Sequence, residues 1–196
     1  MMKNIYILFF IQMKITKIED LNNIPEGITE LDISMLGLTT LPSLPQSLTY
    51  LNCYSNKLTS LDNLPQSLTE LYSSDNELTS LDNLPQSLTV LYCNNNKLTS
   101  LDNLPSGLTE LDCSYNQLTS LDNLPNCLTD LVCRENKLTS LDIAHCNELT
   151  HLNCRDNNFP EEMVTILYDT YLTIQEKINK LIEGCLIPYD NSFVLK

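Results

Sequence analysis

Cysteine has the widest chemistry of the residue types in this chain, because thiols bind metals, form disulfides and act as nucleophiles. Five of the eight cysteines in the 196 residues fall in one line with a spacing of about 20 residues or twice that. They are Cys53, Cys93, Cys113, Cys133 and Cys154. A zinc site needs four ligands that converge on one point, whereas this spacing predicts a line. Ile33 and Ser73 stand at the same place in other copies, so we interpret the line as small core residues.

The other cysteines, Cys127, Cys146 and Cys185, make no metal-binding spacing with one another. Disulfide frameworks belong to short secreted chains without a core, and this chain is long enough to build one. We therefore expect reduced thiols, no metal, no cofactor and a cytoplasmic location, with secretion as the alternative.

Aspartate also recurs every twenty residues, at Asp62, Asp82, Asp102, Asp122 and Asp142. Carboxylates stacked on neighbouring turns would repel one another, so the column needs a physical reason. A cation site is one hypothesis. Turn-forming Asp side chains screened by solvent are the other, and we favour it. Calcium titration with thermal melting separates the two.

Catalysis and nucleic-acid binding find little support in the sequence. The four glycines form no phosphate-binding loop, and no nucleophile has a recognisable base partner, so we expect no enzyme. Eleven Lys and Arg against 25 Asp and Glu give a net charge of -14. Because phosphate backbones attract clustered cations, this balance disfavours nucleic-acid and anionic-membrane partners.

Both columns belong to a repeat of twenty residues that extends over most of the chain. The copies begin at Ile28, Leu48, Leu68, Leu88, Leu108, Leu128 and Leu149, in the frame L-T-x-L-x-C-x-x-N-x-L-T-S-L-D-N-L-P-x-x. Six positions of this frame are nearly always apolar, which is typical of a coil whose every turn points side chains inward. Alternation around the fourth and sixth positions predicts a short strand in each turn, and stacking joins these strands into a parallel sheet.

The ninth position of the frame is asparagine in six copies. An Asn side chain both donates and accepts hydrogen bonds, so a stacked column can satisfy backbone groups buried where each turn bends inward. This predicted structural ladder consists of Asn56, Asn76, Asn96, Asn116, Asn136 and Asn157. Leu36 takes the place in the first copy, which implies a weaker ladder at that end.

The pattern L-x-x-L-x-C-x-x-N-x-L resembles the leucine-rich repeat and covers roughly residues 8–159. Its "LPxxL" link, as at Leu64 to Leu68, is similar to the short repeats of the YopM and IpaH families of bacterial effectors and to proteins of giant DNA viruses of amoebae. The resemblance implies a curved right-handed coil, with the parallel sheet on its concave face and short loops on its convex side. It also implies action in a host cytoplasm.

Two features depart from those effectors. Some IpaH-like proteins carry a large ubiquitin-ligase domain with a reactive Cys, but fewer than forty residues follow residue 159 here, so Cys185 cannot inherit that role. YopM-like proteins open with a helical hairpin, for which the N-terminal residues here show no pattern.

The two ends of the chain differ from the repeats. Before Ile28, an apolar run could be a signal peptide, but Leu8, Ile11, Met13, Ile18, Leu21 and Ile24 match apolar columns at a spacing of twenty. We therefore expect residues 1–27 to form an N-terminal cap with a degenerate first repeat, and residues 28–159 to form the repeats. For residues 160–196 we expect one or two helices as a C-terminal cap, with Pro160 at the first helical position.

The third, fifth, seventh, eighth and tenth positions of the frame vary most between copies, so a constant scaffold presents a varied surface on its concave face and edge. We expect this concave face to bind a protein, and its acidic balance favours a partner with a basic patch, while the chain itself stays monomeric. A structural or assembly component, for example of a virion, is the alternative. The predicted partner-binding residues are Glu30, Tyr50, Asn52, Tyr54, Glu70, Tyr72, Val90, Tyr92, Glu110, Asp112, Asp130, Val132, Arg134 and His151.

Overall fold

The structure is a computed structural model that describes residues 12–184 and residue 186. In this part of the chain, eight short strands form one parallel sheet in chain order. The strands are β1 (Gln12–Lys14), β2 (Glu30–Asp32), β3 (Tyr50–Asn52), β4 (Glu70–Tyr72), β5 (Val90–Tyr92), β6 (Glu110–Asp112), β7 (Asp130–Val132) and β8 (His151–Asn153). Each turn of the chain adds one strand beside the previous one. The predicted repeat solenoid with a parallel sheet is confirmed.

The alternation of side chains explains why each turn contributes a strand. In β3, Leu51 is fully buried while Tyr50 and Asn52 on either side are half-buried, and the next inward residue, Cys53, is fully buried too. Neighbouring strands pair in register, so that Leu51 lies beside Leu71. Burial of each such leucine contributes roughly 1.5–3 kcal/mol, which makes the stacked leucines the main stabilising feature of the turns.

On the side away from the sheet, each turn closes through a short proline-containing bend. The Leu68 amide donates to the Pro65 carbonyl at 3.1 Å, and the other regular repeats have the same bond. Asn63, in the preceding bend, has a φ of 60°. This left-handed conformation suits asparagine, whose short polar side chain tolerates it better than most residues do. The chain can therefore return to the sheet within twenty residues.

The first turn follows a different register from the one predicted. Met13 pairs with Leu31, eighteen residues later, and Ile15 is the buried residue that corresponds to Ile33. Ile18, predicted to face inward, is 59% exposed at the start of a 3-10 helix over Ile18–Asn23. The spacing of twenty was therefore wrong for this turn, which is two residues shorter. The predictions for Leu8 and Ile11 lie outside the described residues.

Two helices follow the last strand, α1 (Glu161–Leu167) and α2 (Ile174–Glu183). Pro160 stands at the N-cap of α1, one residue before the predicted position, because its extended ψ of 150° ends the preceding loop. Thr173 and Glu176 form a capping box at α2, as each accepts a hydrogen bond from the other's backbone amide. No helix in the described part of the chain is long and apolar enough to cross a membrane.

The helices pack against the last turn through their apolar sides. Met163 and Leu167 of α1 and Ile178 and Leu181 of α2 are buried and belong to the same hydrophobic core as the repeats. Since a stack of repeats would otherwise expose its last layer of leucines, this packing extends the core beyond β8.

Candidate functional site

The outward side chains of the strands form a continuous surface, here called the sheet face. It comprises the first and third residues of each strand and the second residue after it. All of the predicted partner-binding residues occupy such places: Glu30, Tyr50, Asn52, Tyr54, Glu70, Tyr72, Val90, Tyr92, Glu110, Asp112, Asp130, Val132, Arg134 and His151. His151 is exposed and the others are half-buried, as expected for a surface whose neighbours touch but remain open to solvent.

Three tyrosines meet near the middle of the sheet face and are called the tyrosine cluster. The ring centroids of Tyr50 and Tyr72 lie 5.1 Å apart at an interplanar angle of 40°. Those of Tyr72 and Tyr92 lie 5.0 Å apart at 71°, close to an edge-to-face arrangement. Both separations fall in the favourable range for aromatic pairs. The rings thus support one another while exposing part of their surface, so little side-chain entropy remains to be lost on binding.

Carboxylates hold the phenol groups of this cluster. The Tyr72 hydroxyl donates to Glu70 Oε2 at 3.3 Å, and the Tyr92 hydroxyl donates to Glu110 Oε2 at 3.0 Å. Partial burial, followed by the negative charge of Glu70, raises the pKa of Tyr72 to about 12. Burial and the hydrogen bond to Glu110 do the same for the pKa of Tyr92. The phenols therefore stay neutral at physiological pH and donate to the two glutamates.

The sheet face is acidic beyond the cluster as well. Burial raises the pKa of Asp130, and the nearby charges of Glu110 and Asp112 raise it further, against the opposing effect of His151. Carboxylates on neighbouring strands therefore lie close enough to repel one another. This crowding gives the β6–β7 region a negative potential that a cationic group would relieve.

Cations on the sheet face are few and partly engaged. Lys14 in β1 forms an ion pair with Asp32 at 2.7 Å. Burial alone would raise the pKa of Asp32, but hydrogen bonds from Lys14 and Ser34 lower it. Arg134 stacks over the ring of Tyr115, with its guanidinium carbon 4.7 Å from the ring centroid. Lys14 thus pairs with the carboxylate beside Tyr50, but neither cation forms an ion pair with Glu70 or Glu110 among the described residues.

Two ladders of side chains keep the strands aligned beneath this surface. Asn76 Nδ2 donates to the carbonyls of Cys53 and Ser73, and its Oδ1 accepts from the Leu58 amide at 3.0 Å. The same set of bonds recurs at Asn56, Asn96, Asn116, Asn136 and Asn157. Each asparagine joins its own turn to the one before, so the ladder fixes the spacing of the sheet face.

A second ladder, of threonines, was missed by the sequence analysis. Each threonine hydroxyl donates to the carbonyl of the threonine one turn earlier, at 2.9–3.2 Å. The donors are Thr49, Thr69, Thr89, Thr109, Thr129 and Thr150. Its signal was present in the threonine that recurs at the second position of the repeat frame. A spacing of twenty would place Lys14 beside Ser34, so the sequence does not predict the pairing of Lys14 with Asp32 either.

The cysteine line lies in the core. Cys53, Cys93, Cys113 and Cys133 are fully buried and Cys154 is 2% exposed. Burial raises the pKa of Cys53 to about 12. Such thiols are protonated at neutral pH and shielded from reagents, so they act as apolar side chains. Cys185 lies outside the described residues.

The aspartate column shows turn chemistry. The Ser60 hydroxyl donates to Asp62 Oδ2 at 2.7 Å, and Ser80 donates to Asp82 in the same way at 2.9 Å. Within residues 12–184, no three His, Cys, Asp or Glu side chains are grouped so that they could hold a metal ion.

Comparisons with known proteins agree with this architecture. The family model for leucine-rich repeats, in two copies, matches residues 86–126. The structure of a Shigella effector leucine-rich repeat domain is 31% identical, with a TM-score of 0.58 over 76% of this chain and 77% of that one. No curated protein matches the chain.

Two longer proteins are also similar. YopM from Yersinia enterocolitica is 32% identical over 70% of this chain, with a TM-score of 0.57. The functional domain of InlJ from Listeria monocytogenes, described as including a cysteine ladder, is 38% identical over 75% of this chain, with a TM-score of 0.66. The match spans 35% of each of these two chains. From its stacked strands, its repeat motif and these relatives, the chain belongs to the leucine-rich repeat proteins, and its repeats resemble those of bacterial effectors.

Proposed function

We propose that this chain is a non-enzymatic module that binds a protein partner through the sheet face, with the tyrosine cluster at the centre of the contact. The observation that carries the proposal is the close packing of Tyr50, Tyr72 and Tyr92 on three neighbouring strands. Tyrosine is enriched among residues that dominate binding energy, and pre-ordered rings lose little entropy on binding. Extended faces of this kind are how solenoid proteins bind partners.

The charge of the sheet face favours a partner with a basic patch. Glu70 and Glu110 contact the cluster through its hydroxyls, and Asp112 and Asp130 extend the negative surface. Lysine or arginine side chains of a partner would form ion pairs with these carboxylates and cation–π contacts with the faces of the rings. The same charge, with a net value of -14 for the chain, opposes nucleic acids and anionic membranes.

The size of the sheet face suits such a contact. Seven intervals of about 4.8 Å separate β1 from β8, so the face is roughly 34 Å long. An ordinary protein interface buries about 800 Å² on each partner. A single partner can therefore lie along the face without help from a second copy, and we propose that the free module is monomeric. An assembly component would instead show a particle size that grows with concentration.

We further propose that the module acts in a reducing compartment such as the cytoplasm. Seven cysteines in the described residues are free thiols. The most buried of them are out of reach of oxidants. Similarity to effector repeats supports action in a host cell.

Affinity capture from the native cell tests the proposal. The bait is the wild-type chain, and the matched variant is Tyr72→Ala/Tyr92→Ala, which removes two rings without touching the core. Tyr171→Ala is the control, since Tyr171 is 95% exposed in the loop between the helices. We expect one partner to be captured by the wild type and by the control but lost from the double variant. Equal capture by all three baits contradicts binding through this face.

A further inference from the structure

A cationic pocket lies at the opposite end of the molecule from β1, between β8 and the two helices. Its volume is about 280 Å³. The polar residues that line it are His151, Asn153, Arg155, Tyr168, Thr170 and Lys177. The first three come from the last strand and the residues just after it, and the others from the helices and the loop between them. Three potential cations in one small pocket are notable in a chain whose net charge is -14.

Lys177 is the residue whose position most needs an explanation. It lies on the apolar side of α2, beside Ile178 and one turn before Leu181, and is only 9% exposed. Lysine is almost never buried unless it is paired, because removing its charge from water is costly. Its ammonium donates to the Leu167 carbonyl at 2.7 Å, and no ion pair with a carboxylate exists for it among the residues that the structure describes.

The Leu167 carbonyl compensates this charge only in part. Leu167 is the last residue of α1, where the helix dipole places a partial negative charge. One carbonyl takes one of the three ammonium hydrogens. The remaining donors of Lys177 have no other protein acceptor in the described part of the chain. A bound anion would supply both the missing acceptors and the missing charge.

Arg155 adds a second cation next to the first. Burial raises the pKa of the Cys154 thiol to about 11, and Lys177 and Arg155 both act on the same sulfur in the opposite direction. Both cations and Cys154 line the same pocket. Arg155 is exposed and forms no ion pair with the described carboxylates. Asp130 lies beside His151 on the neighbouring strand.

We infer that this pocket binds a small oxyanion, a carboxylate or phosphate group, between Arg155 and Lys177. The guanidinium can bind two oxygens of such a group at once, and the ammonium of Lys177 offers a second charged donor. A volume of about 280 Å³ is slightly below that of a site for a drug-sized molecule, and it suits one anionic group with a short substituent. This site is separate from the tyrosine cluster and does not depend on the function proposed for the sheet face.

Calorimetric titration of the whole chain with inorganic phosphate and, separately, with acetate tests the inference. Chloride keeps the ionic strength constant, because nonspecific attraction would respond to salt alone. We expect saturable binding of one anion per chain. We expect at least tenfold weaker binding in Arg155→Gln and in Lys177→Met. Tighter binding of phosphate identifies a phosphate ligand, and tighter binding of acetate identifies a carboxylate.

Lys180→Gln is the matched control, since Lys180 is exposed on the same helix, and its affinity should stay within twofold of the wild type. Arg155→Gln changes an exposed residue, so it decides the outcome even where Lys177→Met fails to fold. The inference is overturned by an absence of saturable binding with both anions. It is equally overturned by unchanged affinity in Arg155→Gln, or by the same loss in Lys180→Gln.

Discussion

At the scale of single residues, each ladder asparagine serves two turns at once. Asn76 donates to carbonyls of its own turn and of the turn before, and it accepts from the Leu58 amide at 3.0 Å. These backbone groups are buried, and no water can replace the amide without opening the core. The side chain is therefore a structural requirement wherever the chain bends inward after a strand.

Replacing Asn76 with alanine should lower the free energy of unfolding by about 3 kcal/mol, because several buried backbone groups lose their partner. Urea unfolding followed by circular dichroism measures the change. Asn147→Ala, at an exposed loop residue, is the control and should be close to neutral. An equal effect of the two substitutions would show that the ladder does not stabilise the turns.

A second residue-scale feature is a left-handed conformation in every repeat. Each residue just before the ladder position has a φ between 52° and 60°. These residues are Met35, Ser55, Asp75, Asn95, Tyr115, Glu135 and Asp156. Such a φ costs most L-residues roughly 1–2 kcal/mol, and asparagine less. The ladder bonds that follow hold the backbone in this conformation whatever the side chain.

Glu135→Asn should therefore raise the free energy of unfolding by about 1 kcal/mol. Glu135→Ala is the matched control, since it removes the carboxylate but keeps a residue that disfavours the φ of 53°. Chemical unfolding of both variants beside the wild type gives the comparison. The strain argument is wrong if the alanine and asparagine variants are equally stable.

The sequence predicts some of these features but not others. The asparagine column stands out because one residue type recurs at one place, and its chemistry suggests a use. The residues with positive φ share no side-chain type. Their backbone conformation is imposed by the neighbouring residues, so the sequence does not predict it. Lys177 did leave a signal, as a lysine on the apolar side of a helix between Ile174 and Ile178, which the sequence analysis passed over.

At the scale of elements, the buried cysteine line makes the free energy of unfolding depend on pH. Burial raises the pKa of Cys53 to about 12 and raises the pKa of Cys113 well above its ordinary value. In the unfolded chain a thiol ionises near pH 8.5. The folded pKa is the higher one. The contribution of each buried thiol to the free energy of unfolding is therefore complete below about pH 8.5 and is lost as the pH rises towards about 12.

Each buried thiol should therefore add roughly 1–2 kcal/mol to the loss of stability between pH 7.5 and pH 10. Cys113→Ser removes one thiol and should reduce the loss. Ser73→Cys adds one at a fully buried place in the same line and should increase it. Urea unfolding at both pH values, in the presence of a reductant, measures the differences. Identical pH dependence in both variants would contradict the assignment.

The register of the first turn shows where element-scale prediction fails. A shift of two residues along a strand returns every side chain to the same face, so the apolar pattern of Ile11 and Met13 and that of Met13 and Ile15 fit the frame equally well. The later turns escaped this ambiguity because their asparagine and proline positions anchor the frame. The first turn has Pro25 at the proline position but no asparagine after its strand, and its shorter connection appears only in the structure.

At the scale of the whole molecule, the repeats separate two tasks. Inward leucines, asparagines and threonines are nearly constant and build the stack, while the outward positions differ from turn to turn. The fold could therefore be predicted in full outline, since it depends on the constant positions. Tyr72 and Tyr92 share one frame position, so their neighbourhood on the sheet could be predicted as well. The ring contact of Tyr50 with Tyr72 could not, because it is diagonal between strands and depends on side-chain rotamers.

The central claim is that a protein partner binds the tyrosine cluster, and the dissociation constant of the captured partner tests it most directly. Titration of that partner against the wild type and Tyr72→Ala/Tyr92→Ala should show at least a tenfold weaker complex for the variant, because hot-spot tyrosines cost more than about 1.4 kcal/mol when removed. Tyr171→Ala should bind within twofold of the wild type. Equal dissociation constants for the wild type and the double variant would contradict the account.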